Sequence, residues 1–237
     1  DNEQISNQLN CYLQIQAEKC KVSHIQYREQ LERTENLLPV SIEKVNMILT
    51  LPDSQEALGK SIGSKRRSQI KRPIREGVKH KIGGIELLDD FYRVFCENMR
   101  DLGTPVYGKN FFKSIFKQFH EHCSIAIIYW QDKPVSAGFL MRYQDRMEIP
   151  WASTLSYANR ISVNMYLYWQ ILTFAIETGS KTFDFGRSTV DAGTYKFKKQ
   201  WGAEPLQCYW YHWVPIGGEL PNLSPSNSKF EFAIKCW

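Results

Sequence analysis

A chain of 237 residues with 43% apolar and 23% charged side chains has the composition of a soluble globular protein, which excludes a mainly disordered one. Aromatic residues reach 14%, with seven Trp, so large rings must fill a core or line a groove. The net charge of +5 excludes a uniformly basic nucleic-acid binder, and the length predicts one or two domains that need neither disulfides nor metals to hold a core.

Residues 2–20 carry Ile5, Leu9, Leu13 and Ala17 at spacing four, which predicts a helix with one apolar stripe. Val22 to Tyr27 reads as a short strand, and Ser41 to Leu51 as a longer one that Pro52 ends. Asp53 or Ser54 then caps a helix. Gly59 and Gly63 weaken that helix and Pro73 interrupts it, so two segments are expected. Val78 to Ile82 is strand-like. Glu86 to Arg100 is an amphipathic helix, with Leu87, Leu88, Phe91, Val94 and Phe95 inward. After a turn at Gly103-Thr104-Pro105, Asn110 to His120 is a second, with Phe111, Phe112, Ile115, Phe116 and Phe119 on its core face.

Three strands then meander: Ile125 to Trp130, Val135 to Tyr143 and Arg146 to Trp151. Ser162 is placed to cap a helix that stops before Gly179 and is apolar nearly all round, so it belongs in the interior. Thr182 to Phe185 is a strand, Gly193 to Trp201 holds a short helix, and Leu206 to Trp213 is the last strand. The tail from Pro215 is rich in Pro, Gly, Ser and Asn and reads as loop.

Charge is unevenly spread. Lys60 to Lys81 holds nine Lys/Arg and one acid, Glu76, a band of +8 on a body of −3. Such a band is either a solvated helix face or a platform for phosphate or carboxylate. The six cysteines (Cys11, Cys20, Cys96, Cys123, Cys208, Cys236) form no CxxC pair, which predicts reduced thiols in a cytoplasmic protein. No secretory signal opens the chain, which starts at Asp1. Its most apolar stretch, Ile161 to Ile176, is broken by Asn164 and Gln170 and is too short for a membrane span.

From Val78 onward this order predicts an α/β (α+β) domain with a mixed, largely antiparallel sheet and helices on both faces. The order is similar to the GNAT acyltransferase fold. Ordered words narrow the resemblance: Ser68 to Pro73, Asn98 to Val106, Ile149 to Ser153, Asn164 to Trp169, Phe183 to Thr189 and Gly193 to Ala203. Together they resemble the FemAB-like proteins of exosortase and exopolysaccharide systems. The resemblance implies two packed GNAT-like units. This chain is expected to hold the end of one (residues 1–52), a basic helical connector (53–77), one whole unit (78–213) and a loop-rich tail (214–237). It also implies acyl or aminoacyl transfer to an amine or hydroxyl of a cell-surface glycan, exopolysaccharide or peptidoglycan precursor.

Acyl transfer needs a positioned nucleophile, a proton acceptor and donors for the oxyanion. The Phe197-Lys198 pair matches one near the donor end of the Fem relatives, so Lys198 is the first catalytic candidate, unless it is merely solvated beside Lys196 and Lys199. Asp184 is a base or an ion-pair partner of Arg187 or Lys198. Glu148 lies on the third meander strand, where GNAT folds usually place a general base; a cross-strand pair with Arg142 or Arg146 is the alternative. Arg187 and Ser188 are expected in a loop at a strand end, where ligands bind. Trp151 and Tyr195 line a groove or join the core. Arg67 and Arg72 in the band, and Arg100, are candidate contacts to an anionic substrate.

The donor is open between acyl-CoA and aminoacyl-tRNA, and no other cofactor is implied. The segment Thr154 to Arg160 before the buried helix holds no glycine, unlike a loop that cradles the CoA pyrophosphate, which favours another donor. His120, His122 and Cys123 lack the shared face that a metal site needs. Two other readings stand beside the enzyme: a module that holds tRNA or another anion on the basic band, and a non-catalytic partner of a polysaccharide assembly.

Overall fold

The computed structural model describes residues 2–33 and 38–220. Cys236 and the tail from residue 221 lie outside the described residues. Helix α1 (Asn2–Lys19) leads to strands β1 (Ile25–Glu29), β2 (Val40–Ser41) and β3 (Lys44–Thr50). Helices α2 (Gln55–Ser61) and α3 (Gly63–Arg75) precede β4 (Lys79–Gly83). Helices α4 (Leu88–Asp101) and α5 (Lys109–Phe119) come next, then β5 (Cys123–Trp130), β6 (Lys133–Tyr143) and β7 (Arg146–Thr154). Helix α6 (Val163–Glu177), β8 (Thr182–Thr189), α7 (Gly193–Lys199), β9 (Glu204–Gln207) and β10 (Tyr209–Trp213) complete the order.

Local chemistry sets several boundaries. Ser54 is the cap of α2, its hydroxyl accepting from Ala57 N–H at 3.1 Å. The break between α2 and α3 falls at Gly63, whose φ of 74° is left-handed. Pro73 rides inside α3 instead of ending it. Ser162 takes a left-handed φ of 62°, and its hydroxyl makes no capping bond to α6.

Seven strands form one mixed, mostly antiparallel sheet in the order β4-β5-β6-β7-β8-β3-β9. The pair β7–β8 is parallel, joined by the α6 crossover. Strand alternation gives the sheet two buried faces. Ile125, Ile127 and Phe139 pack with Phe91, Phe95 and Phe112 of α4 and α5. Ala126, Ile128, Met147, Ile149, Phe183 and Phe185 pack with Leu167 and Ile171 of α6, and with Leu58, Ile62 and Ile70 of α2 and α3. At Gly138 the fit to α6 is tight: an added Cβ would stand 2.9 Å from Ile171 Cδ1.

A second sheet, β1-β10-β2, adjoins the first. The chain crosses between the sheets twice, from β2 to β3 and, at Cys208, from β9 to β10. The expected strand Leu206–Trp213 is therefore two strands in two sheets. Gln207 Nε2 holds this seam by donating to the carbonyls of Ile42, Lys44 and Cys208. Strand β3, from the segment expected to end an earlier unit, sits between β8 and β9 of the large sheet.

Two apolar stripes differ from expectation. On α1 Ala17 is buried, while Ile5, Leu9 and Leu13 face solvent. On α5 Phe112 and Phe116 are buried, but Phe111 and Phe119 are exposed, because the sheet covers a narrower face than the phenylalanine stripe offers.

Candidate active site

Strands β7 and β8 pair over three residues only: Arg146, Met147 and Glu148 against Thr182, Phe183 and Asp184. Beyond that they part, β7 continuing beside β6 and β8 beside β3. Parting strands leave a wedge at their carboxyl ends, a usual ligand position in α/β sheets. A cleft of about 1250 Å³ lies there. Because Met147, Ile149, Phe183 and Phe185 turn to α6, Glu148 and Asp184 turn the other way, into the cleft.

A bulge shapes the β8 wall. Asn46 pairs with Arg187 but Ile48 with Asp184, so one residue of β3 faces two of β8. Gly186 lies in the bulge at φ 74°, a conformation that strains any side chain. Its N–H donates to Asp184 Oδ1 at 2.7 Å. Its carbonyl, and that of Arg187, accept from Lys198 Nζ at 3.0 and 2.9 Å. Arg187 and Ser188, expected in a loop, therefore lie within a strand that runs on to Thr189, since the bulge absorbs the glycine.

Lys198 is buried, unlike Lys196 and Lys199, and reaches the cleft from the last turn of α7. Burial pulls its pKa down to about 8, against the opposing pull of the Asp184 carboxylate. Its neighbours Phe197 and Trp201 pack into the core. Asp184 is buried too, and its ion-pair partner is Arg146, not Arg187 or Lys198. Glu148 is exposed and lines the cleft. Burial first, and then the Asp184 charge, raise its pKa, while Arg146 opposes them. Among the described residues Glu148 forms no salt bridge; Arg142 donates instead to the Thr178 carbonyl at 2.5 Å.

Ser188 lines the same cleft, and its buried hydroxyl has no hydrogen-bond partner among the described residues. Trp151 lines it half-buried, with edge contacts to Phe112 at 5.1 Å and Phe139 at 5.5 Å. The remaining candidates lie elsewhere. Tyr195 packs against the core with Lys199 over its ring. Arg100 ends α4 in an exposed pair with Asp101. Arg67 and Arg72 are exposed on α3, on the α6 side of the sheet, away from Glu148 and Asp184. None of the nine cations of the basic band lines the cleft. His120 and His122 form a short 3-10 turn before Cys123, and the described residues hold no cluster fit for a metal ion.

Sequence reasoning missed Arg28, Lys44, Tyr107, Tyr168 and Trp210, which also line the cleft. Tyr168 sat in a recognised word, and burial raises its pKa strongly, so its hydroxyl keeps its proton. Arg28, Lys44 and Trp210 come from strands distant in sequence, and no local pattern marks them.

Residues 64–199 match the model of the acetyltransferase (GNAT) domain. A UDP-N-acetylmuramoylpentapeptide-lysine N(6)-alanyltransferase of Weissella viridescens is 24% identical over 163 residues, 65% of this chain and 48% of that protein. The chain thus spans about half the length of this curated relative. FemX is similar in structure, with a TM-score of 0.63 at 14% identity, over 88% of this chain and 77% of that one. The C-terminal domain of a putative lysylphosphatidylglycerol synthetase from Agrobacterium fabrum gives 0.60 at 13% identity, over 76% and 63%. At these identities the structural likeness is one of fold.

Proposed function

The chain belongs to the GNAT acetyltransferase-domain family, and from that premise we propose that it is a FemAB-like transferase that moves an aminoacyl or acyl group onto a cell-envelope precursor. The observation that carries the reading is the meeting of Lys198, Glu148 and Asp184 in one cleft where β7 and β8 part. The alanyltransferase relative acts, by its name, on the lysine of a UDP-N-acetylmuramoyl pentapeptide, so an amine of a peptidoglycan precursor is the first acceptor to test. Aminoacyl-tRNA is the preferred donor, because Thr154 to Arg160 has no glycine to bring backbone N–H groups close to a CoA pyrophosphate.

Each residue has a task in this scheme. The acceptor amine attacks the donor ester carbonyl, and a C–N bond forms. Glu148, with its raised pKa, takes the amine proton. The Lys198 ammonium, held by two backbone carbonyls, offers its remaining N–H to the oxyanion. The C–O bond then breaks, and the leaving alkoxide takes back the proton that Glu148 accepted, beside the Tyr168 hydroxyl that lines the same cleft. Asp184 positions the site through Arg146 and the Gly186 N–H.

A second reading concerns the basic band. Exposed Lys60, Lys65, Arg67, Lys71, Arg72 and Arg75 stand on α2 and α3, and a tRNA donor would meet them through its phosphates. Among the described residues no helix is long and apolar enough to cross a membrane. A mass-spectrometric transfer assay tests the function, with acyl-CoA, acyl-carrier-protein and aminoacyl-tRNA donors and a peptidoglycan-precursor acceptor. A mass gain of one aminoacyl residue from the tRNA donor is expected. No gain with any donor would favour the non-catalytic partner.

A further inference from the structure

Arg28 and Arg187 share one tryptophan. Arg28 is the cross-strand partner of Trp210 between β1 and β10, with its guanidinium 4.4 Å from the ring centroid. Arg187 comes from β8 of the large sheet and stands 5.3 Å from the same ring. All three line the cleft at the seam of the two sheets, and Lys44 joins them there.

The two guanidinium groups lack a countercharge. Glu29, next to Arg28, is engaged with Arg33. Among the described residues neither Arg28 nor Arg187 forms a salt bridge, although Arg28 donates to Gln26 Oε1 at 2.7 Å. Burial, and then the positive charge of Arg187, lower the pKa of Arg28. An indole offsets some of the cost of each cation, but it does not cancel their mutual repulsion. Two planar forks converging on a cleft, with an ammonium nearby, match the oxygens of a phosphate or diphosphate.

We infer that Arg28 and Arg187, which share Trp210 at the seam of the two sheets, form a subsite for the phosphate or diphosphate group of a substrate, with Lys44, whose ammonium donates to Thr189 Oγ1, on the same cleft wall. The subsite is separate from the basic band on α2 and α3, and its cations come from both sheets, so it exists only in the folded chain. It deepens the transferase reading by giving the cleft an anionic end. Only the source of the anion rests on that reading: donor phosphates or an acceptor diphosphate.

Calorimetric titration with inorganic pyrophosphate, at constant ionic strength and without turnover, tests the subsite. The wild-type chain is expected to bind. Arg28→Gln and Arg187→Gln should each weaken binding about tenfold or more, as expected for losing a charge-assisted hydrogen bond. Arg28→Lys should weaken it less, and Lys117→Gln, on the exposed face of α5 outside the cleft, should leave it unchanged. Displacement of pyrophosphate by coenzyme A or uncharged tRNA supports the subsite and assigns the anion to the donor. Displacement by a nucleoside-diphosphate sugar supports it and assigns the anion to the acceptor. The inference is overturned if pyrophosphate does not bind, if the Arg28 and Arg187 variants bind it as well as wild type, or if none of the three displaces it. Failure of the transferase assay alone leaves this binding result standing, so the two readings fail separately.

Discussion

Glu148 and Asp184 lie directly opposite each other on parallel strands, at the last paired register before β7 and β8 part. Burial raises the pKa of Glu148, and the facing Asp184 carboxylate adds to the rise. Asp184 is engaged by Arg146 and by the Gly186 N–H. Glu148 takes the raised pKa that suits a proton acceptor.

The first prediction follows from that pair. Glu148→Gln should lower the transfer rate by about 10²–10⁴. It also removes a like charge beside Asp184, so its unfolding midpoint should stay level or rise. A fall in both rate and midpoint would make Glu148 structural.

Lys198 gives the second. If its ammonium stabilises the oxyanion, the rate falls as pH rises through about 8, where the proton leaves. Arg stays charged there, so Lys198→Arg should flatten that fall even if its overall rate is lower. The stability sign is opposite. Between about 8 and the ordinary lysine value of 10.5, the unfolded chain holds a proton that the folded chain has lost. The contribution of this group to stability therefore rises with pH through that window, and its cost is fully present below it. Chemical denaturation of wild type and Lys198→Met across pH measures the difference.

Gly186 gives the third. Nothing lies within 4 Å of an added Cβ, so Gly186→Ala meets no clash, only the left-handed φ of 74°. The cost should be about 1–2 kcal/mol of stability. Relaxation of that φ would also turn the carbonyl away from Lys198, so the rate should fall more than the stability loss explains. Urea midpoints and rates on the same samples separate the two effects.

The basic band gives the fourth. If tRNA is the donor, its affinity should fall steeply with salt. Arg67→Gln and Arg72→Gln should each reduce the slope by about one ion. A filter-binding salt series reads this directly, and a flat series removes the band from donor binding.

Much of this fold is legible in the sequence because apolar periodicity is local. The β5–β7 meander, α4 and α6 follow from spacing, and Gly63 marks the break between α2 and α3. The exposed stripe of α1 was not legible, because periodicity shows an apolar face but not what covers it. Nor was the split at Cys208, since an alternating run looks the same whether or not it changes sheets. In the cleft, Asp184, Arg187 and Lys198 stand in recognisable words of the chain and Glu148 on the third meander strand, and the fold brings them together. The bulge at Gly186 was hidden, because a glycine after Phe185 reads as a strand end. Arg28 and Trp210 were hidden because their pairing joins residues 182 positions apart.

Transfer by wild type and Lys198→Met, measured side by side by mass spectrometry on equally folded samples, tests the central claim most directly. The account predicts a loss of about 10²–10³ in rate for the variant, with an unfolding midpoint equal to or above that of wild type. Undiminished transfer by folded Lys198→Met would contradict it.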